Sequence, residues 1–170
     1  LKAVKPKKVK LFTGPPSHKE DDAKVVHELM NNADIRIVSG GTTSQIVARE
    51  LGVEVKSSTE IYDKEVPPIA YIQGVDLVTE GVLTLSKTID RLKSLSKSLD
   101  SDIFKAKDGA SQMAKLLYSA SHIKLLVGRS LNIANAESSF QRDLELRLHV
   151  VGELEKILVK LGKIVTVEYY

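Results

Sequence analysis

Ile35-Arg36-Ile37-Val38-Ser39-Gly40-Gly41-Thr42-Thr43, running on into Ser44-Gln45-Ile46-Val47-Ala48-Arg49-Glu50-Leu51-Gly52, decides how this chain is read. An apolar run of strand length comes first, and a helical pattern closed by a glycine follows. A strand that turns on paired glycines into a helix leaves several backbone N–H groups without partners at the helix start. Those groups and the helix dipole favour an anion, commonly phosphate or carboxylate. Gly40 and Gly41 let the backbone turn sharply and approach a ligand closely. Thr42 and Thr43 supply a cap and a hydroxyl donor. The bland alternative is a capped helix start that holds only water.

The neighbouring segments repeat the alternation of strand and helix. Val9-Lys10-Leu11-Phe12 reads as a strand that stops at Thr13-Gly14-Pro15-Pro16. Glu20-Asp21-Asp22 then opens a helix with Val25, Val26, Leu29 and Met30 on one face, its acidic first turn complementing the dipole. Val53-Glu54-Val55-Lys56 reads as a third strand, and Ile69-Ala70-Tyr71-Ile72 as a short extended segment after Pro67-Pro68. Val78, Val82, Leu85, Ile89, Leu92, Leu95 and Leu99 step by three and four, so a long amphipathic helix is expected to about residue 99. A polar linker is expected over 100–109, then a helix over 110–121 with Met113, Leu116 and Leu117 inward. His122 to Arg129 reads as a strand ending in Gly128-Arg129, and 130–143 as a loop carrying Asn132, Asn135 and Arg142. A helix over 144–161 and a strand from Ile164 close the pattern. The order predicts a single α/β domain over 1–170, an open and mostly parallel sheet with helices on both faces in a Rossmann-like three-layer arrangement.

Composition narrows the function. The chain has 170 residues, 42% hydrophobic and 28% charged, which suits one ordinary globular domain. Its net charge of +3 gathers at Lys2, Lys5, Lys7, Lys8 and Lys10, and only 5% of residues are aromatic. Stacking platforms are therefore scarce and nucleic acid is not an expected partner. Cysteine is absent, which excludes disulfides and thiolate chemistry and suits a cytoplasmic protein. No apolar run approaches the ~20 residues of a membrane helix, and no signal-peptide core is visible.

Ligands of open α/β sheets sit beyond the carboxyl ends of the strands. Thr13 and Gly14, then Gly40, Gly41, Thr42 and Thr43, then Arg129, each follow an apolar run, so they converge if their strands are parallel neighbours. Arg129 would supply a forked cation for phosphate or carboxylate, and Glu80 would stand beside them. The catalytic inventory is thin. His18, His27, His122 and His149 lack metal-ligand spacing, and no nucleophile elbow, Walker sequence or dinucleotide fingerprint occurs. Asp108-Gly109 is not read as a metal site, because polar Lys105-Ala106-Lys107 precedes it where a rigid strand would be needed.

Several stretches together carry a resemblance. They are Leu11-Phe12-Thr13-Gly14-Pro15-Pro16 with Glu20-Asp21-Asp22, Gly40-Gly41-Thr42-Thr43 with Ile46-Val47-Ala48-Arg49, and Gly74-Val75-Asp76-Leu77-Val78-Thr79-Glu80-Gly81-Val82-Leu83-Thr84-Leu85. Val127-Gly128-Arg129 and Leu161-Gly162-Lys163 with Val165-Thr166-Val167-Glu168-Tyr169-Tyr170 extend the series to the end. In this order they resemble the C-terminal region of bacterial SpoIIE-like serine/threonine phosphatases of the metal-dependent PPM class. The chain departs from the family's usual Asn-Pro-Ala-His near Asn132-Ile133-Ala134-Asn135. The resemblance implies an accessory domain that follows a phosphatase catalytic domain, and an opening Leu in place of Met fits an excised piece. It places the Mn²⁺ or Mg²⁺ chemistry in that absent catalytic domain, with no cofactor and no catalytic residue in this chain. It also implies a cytoplasmic bacterial protein concerned with sigma-factor regulation. Three readings stay open: a regulatory domain for an anionic small molecule, a homodimerisation module using the long or final helix, and an independent enzyme with Glu80 as its acid or base.

Overall fold

A computed structural model describes residues 5–99, 101–130 and 137–170. Seven strands form one sheet in the order β3-β4-β5-β2-β1-β6-β7. They are β1 (Lys8–Thr13), β2 (Ile35–Ser39), β3 (Lys56–Ser57), β4 (Ala70–Tyr71), β5 (Leu77–Thr79), β6 (His122–Val127) and β7 (Ile164–Tyr169). The five strands from β5 to β7 are parallel, and the two-residue β3 and β4 add an antiparallel fringe. The helices are α1 (Asp22–Met30), α2 (Gly41–Leu51), α3 (Val82–Lys97), α4 (Ser101–Lys105), α5 (Gly109–Ser119) and α6 (Glu137–Lys160), with a 3-10 turn at Lys19–Asp21.

Alternation along each strand sorts the core into two layers. Val9, Leu11, Ile37, Leu77, Ile123 and Leu125 face α3, α5 and α6, while Phe12, Val38, Val78 and Leu126 face α1 and α2. The expected three-layer α/β architecture is therefore present. The apolar stripes of α3 (Leu85, Ile89, Leu92) and α6 (Val150, Val151, Leu154, Leu158) pack inside this core.

Several local expectations need correction. Val78 belongs to β5 and not to the helical stripe, because pairing with Val38 holds it extended. The third strand is only Lys56–Ser57, since Gly52 ends α2 in a left-handed conformation (φ +68°) and uses up the residues just after it. The linker over 100–109 contains the helical turn α4, which buries Ile103 and sets Phe104 edge-on to Tyr118. The last helix starts at Glu137, so Arg142 is an exposed helical residue; Asn132 and Asn135 lie outside the described residues. No helix among the described residues is long and apolar enough to cross a membrane.

The α1–α2 face carries an unusual row of charge. Lys10 of β1, only 8% exposed, pairs in register with Lys124 of β6, so two cations stand side by side. Glu28 of α1 accepts from both ammonium groups, at 3.0 and 2.6 Å, and Lys124 also reaches Glu168 of β7 at 2.7 Å. The hydrogen bonds from Lys124 and Lys10 hold the Glu28 carboxyl below its ordinary value of 4.5, and the bond from Lys124 lowers Glu168 in the same way. Both carboxylates have depressed folded values. Their contribution to stability is therefore complete above the unfolded value and fades as the pH falls through the folded one. Glu28→Gln should cost roughly 2 kcal/mol at neutral pH by leaving Lys10 and Lys124 facing each other. Thermal unfolding between pH 7 and pH 3 should also show a shallower acid decline in the variant than in the wild type.

Candidate functional site

Because β5, β2, β1 and β6 are parallel neighbours, the loops that follow them meet on one edge of the sheet. β1 ends at buried Thr13, and Gly14 turns the chain with φ +82°. β2 ends at Ser39, which is fully buried, and Gly40 follows at φ 124°, ψ 139°. That conformation is open to glycine and strained for any other residue. The Gly40 N–H donates to the Thr79 carbonyl at 2.9 Å, which ties the turn to β5. Ser39 and Thr79 both donate to the Glu80 carbonyl, at 3.0 and 2.9 Å. What Glu80 contributes here is its backbone: its side chain is exposed, outside the cavity described below.

The threonines do not cap the helix. Gly40 is the N-cap of α2, so Thr42 and Thr43 occupy its second and third positions. The buried Thr43 hydroxyl accepts the Gly14 N–H at 2.9 Å and so fastens the first loop to the second. No side chain caps α2, and none caps α3, whose N-cap is Gly81. The starts of the two helices touch: a Cβ on Gly81 would lie 3.7 Å from the Gly40 Cα. Two uncapped helix N-termini, each the positive end of its dipole, therefore open onto the same space.

That space is a cavity of about 160 Å³, bounded by Thr13, Gly14, the turn from Ser39 to Thr43, Gly81, Ser130 and Arg147. Arg147 comes from α6 and was not foreseen. Its Nη1 donates to the Gly128 carbonyl at 3.2 Å, and its guanidinium packs over Gly14, where a Cβ would stand 2.7 Å from the same nitrogen. Burial pulls its pKa below the usual arginine value, and Asp143, a turn earlier on α6, acts in the opposite direction. Among the described residues it makes no ion pair. Position 147 falls three after Leu144 and four before Val151, on the inward stripe of the helix. A cation on an apolar stripe is the signal that sequence reading had available.

Six of the eight expected site residues line this cavity: Thr13, Gly14, Gly40, Gly41, Thr42 and Thr43. Arg129 does not. Its guanidinium lies 5.4 Å from the Tyr169 ring and borders a separate, wider trough of about 660 Å³ between α1 and the end of β7. The cause is close packing at the point where the strand order reverses. Gly128 donates to the Thr13 carbonyl at 2.9 Å, and Ser130 to the Pro15 carbonyl at 3.0 Å. Backbone fills the crevice between β1 and β6, with Ser130 on one side of it and Arg129 on the other.

Asp108 is the N-cap of α5, bonded to the Ser111 N–H and paired with Arg91, so its role is structural. Among the described residues, no group of three or more His, Asp or Glu is placed to hold a metal ion. Comparison of the chain with protein-family models, curated proteins and solved structures returns no match.

The glycines separate into two kinds. A Cβ on Gly128 would lie 2.1 Å from the carbonyl oxygens of Gly14 and Pro15, whereas one on Gly41 would meet nothing within 4 Å. Gly128→Ala should therefore lower stability by about 3 kcal/mol, roughly 6–12 °C in Tm for a domain of this size, and Gly41→Ala should leave Tm within about 2 °C. Differential scanning calorimetry of the two variants checks the contrast.

Proposed function

We propose that this chain is a non-catalytic regulatory domain that binds a small anion, phosphate or carboxylate, in the cavity beneath Arg147. The observation that carries this reading is a half-buried guanidinium without an ion-pair partner among the described residues, facing two uncapped helix N-termini. A desolvated cation and two positive helix ends all gain from one negative charge placed among them. The volume suits a single phosphoryl or carboxyl group, while a whole nucleotide would extend past the rim. Following the resemblance to SpoIIE-like phosphatases, the domain would tune an attached PPM-type catalytic domain in sigma-factor regulation in the bacterial cytoplasm. The metal chemistry would stay in that catalytic domain. Tuning requires the anion to bind two states of the parent with different affinity.

The test is thermal unfolding of the chain with inorganic phosphate, sugar phosphates and small carboxylates, against Arg147→Met and Gly41→Val. Gly41 lines the cavity and its Cβ position meets nothing within 4 Å, so the second variant adds bulk at the cavity rim without a backbone clash. An anion at 100 times its Kd should raise stability by ~2.7 kcal/mol, about 5–11 °C. The shift should vanish in both variants. No shift with any anion, or a shift that survives in both, rules the site out.

A further inference from the structure

The two edges of the sheet are built differently. One is blunted by the two-residue β3 and carries Lys56, a common way of keeping an edge from pairing. The other is β7, six residues reading Ile-Val-Thr-Val-Glu-Tyr, without proline or glycine and, among the described residues, paired on one side only. The N–H groups of Ile164 and Tyr170 donate to the Ser121 and Val127 carbonyls, at 3.0 and 2.9 Å. By strand alternation, the N–H and C=O groups of Val165, Val167 and Tyr169 point away from the sheet. Exposed apolar side chains flank them on the strand itself: Ile164 and Tyr169. Strong β-formers with an open ladder are a template for another strand.

We infer that β7 pairs antiparallel with β7 of a second copy of this chain, about a two-fold axis at Val167. The strand is self-complementary in that register. Val165 faces the second copy's Tyr169, Val167 faces its own equivalent, and about six main-chain hydrogen bonds form. On the α1 face, Thr166 stands opposite Glu168 and Ile164 opposite Tyr170. The only charge on the strand thus meets a hydroxyl, and an exposed isoleucine meets a tyrosine. A slip of two residues toward the C-terminus would set Glu168 against Glu168. A slip the other way would leave Tyr169 unpaired. The pairing joins two seven-stranded sheets into one continuous sheet. It lies away from the cavity under Arg147, so it stands or falls independently of anion binding.

Sedimentation equilibrium of the chain from about 5 to 200 μM should show a monomer–dimer equilibrium with Kd on the order of 10 μM, in the range of small transient interfaces. Val167→Pro removes an outward N–H that β6 does not use, at an edge position where proline is tolerated. It should weaken the dimer at least about tenfold while far-UV circular dichroism stays unchanged. Thr166→Glu, on an exposed side chain, places a carboxylate opposite the second copy's Glu168, should weaken the dimer by a similar factor, and decides the matter if the proline variant does not fold. A monomer at every concentration overturns the inference. A dimer whose Kd stays within twofold of wild type in each folded variant overturns it as well, since the contact would then lie elsewhere.

Discussion

Gly128 stands so close to the loop after β1 that a Cβ would lie 2.1 Å from two carbonyl oxygens, and the layout of this edge of the sheet follows from that contact. In an open sheet whose strand order reverses between β1 and β6, a crevice is expected between those two strands. Here the loops close it with hydrogen bonds of their own. The open space is displaced to either side: a small cavity over the helix starts, and a wide trough along β7. Only glycine at 14 and at 128 permits this, because each position has another residue's backbone or guanidinium where a side chain would go.

Charge is handled differently in the two places. On the α1–α2 face, Lys10 and Lys124 would repel each other, and Glu28 and Glu168 knit them into a satisfied row. This polar row suits the outer part of that face, where His122, Ile164 and Thr166 are exposed. Under α6 the opposite holds. Arg147 has given up much of its hydration and makes no ion pair among the described residues; burial lowers its pKa, and Asp143 offsets this only in part. The charges of the row are compensated by their neighbours, whereas the Arg147 charge lies half-buried beside two helix N-termini with only Asp143 acting on it.

Much of the fold was legible because periodicity is local. The apolar runs of β1, β2, β6 and β7 and the stripes of α1, α3 and α6 stand in the sequence, and their alternation implied a parallel, three-layer arrangement. The glycine turn at 40–41 was legible for the same reason. Short elements were not: β5 is three residues long and merges with the helical pattern of α3, and β3 and β4 exist only through mutual pairing. The capping role given to Thr42 and Thr43 failed because the helix begins two residues earlier than hydroxyl preference suggests, which freed Thr43 to bind Gly14.

The sequence by itself determined the longer strands and helices and where the backbone must turn on glycine, since those choices depend on residues a few positions apart. Tertiary structure decided which cation faces the cavity. Arg129 follows the right strand, yet the packing of Gly128 against Gly14 turns it toward Tyr169. Arg147, more than a hundred residues from the glycine turn, is carried over the site by α6. The stripe of α6 shows locally that Arg147 faces inward, but what it faces is fixed by neighbours distant in the chain.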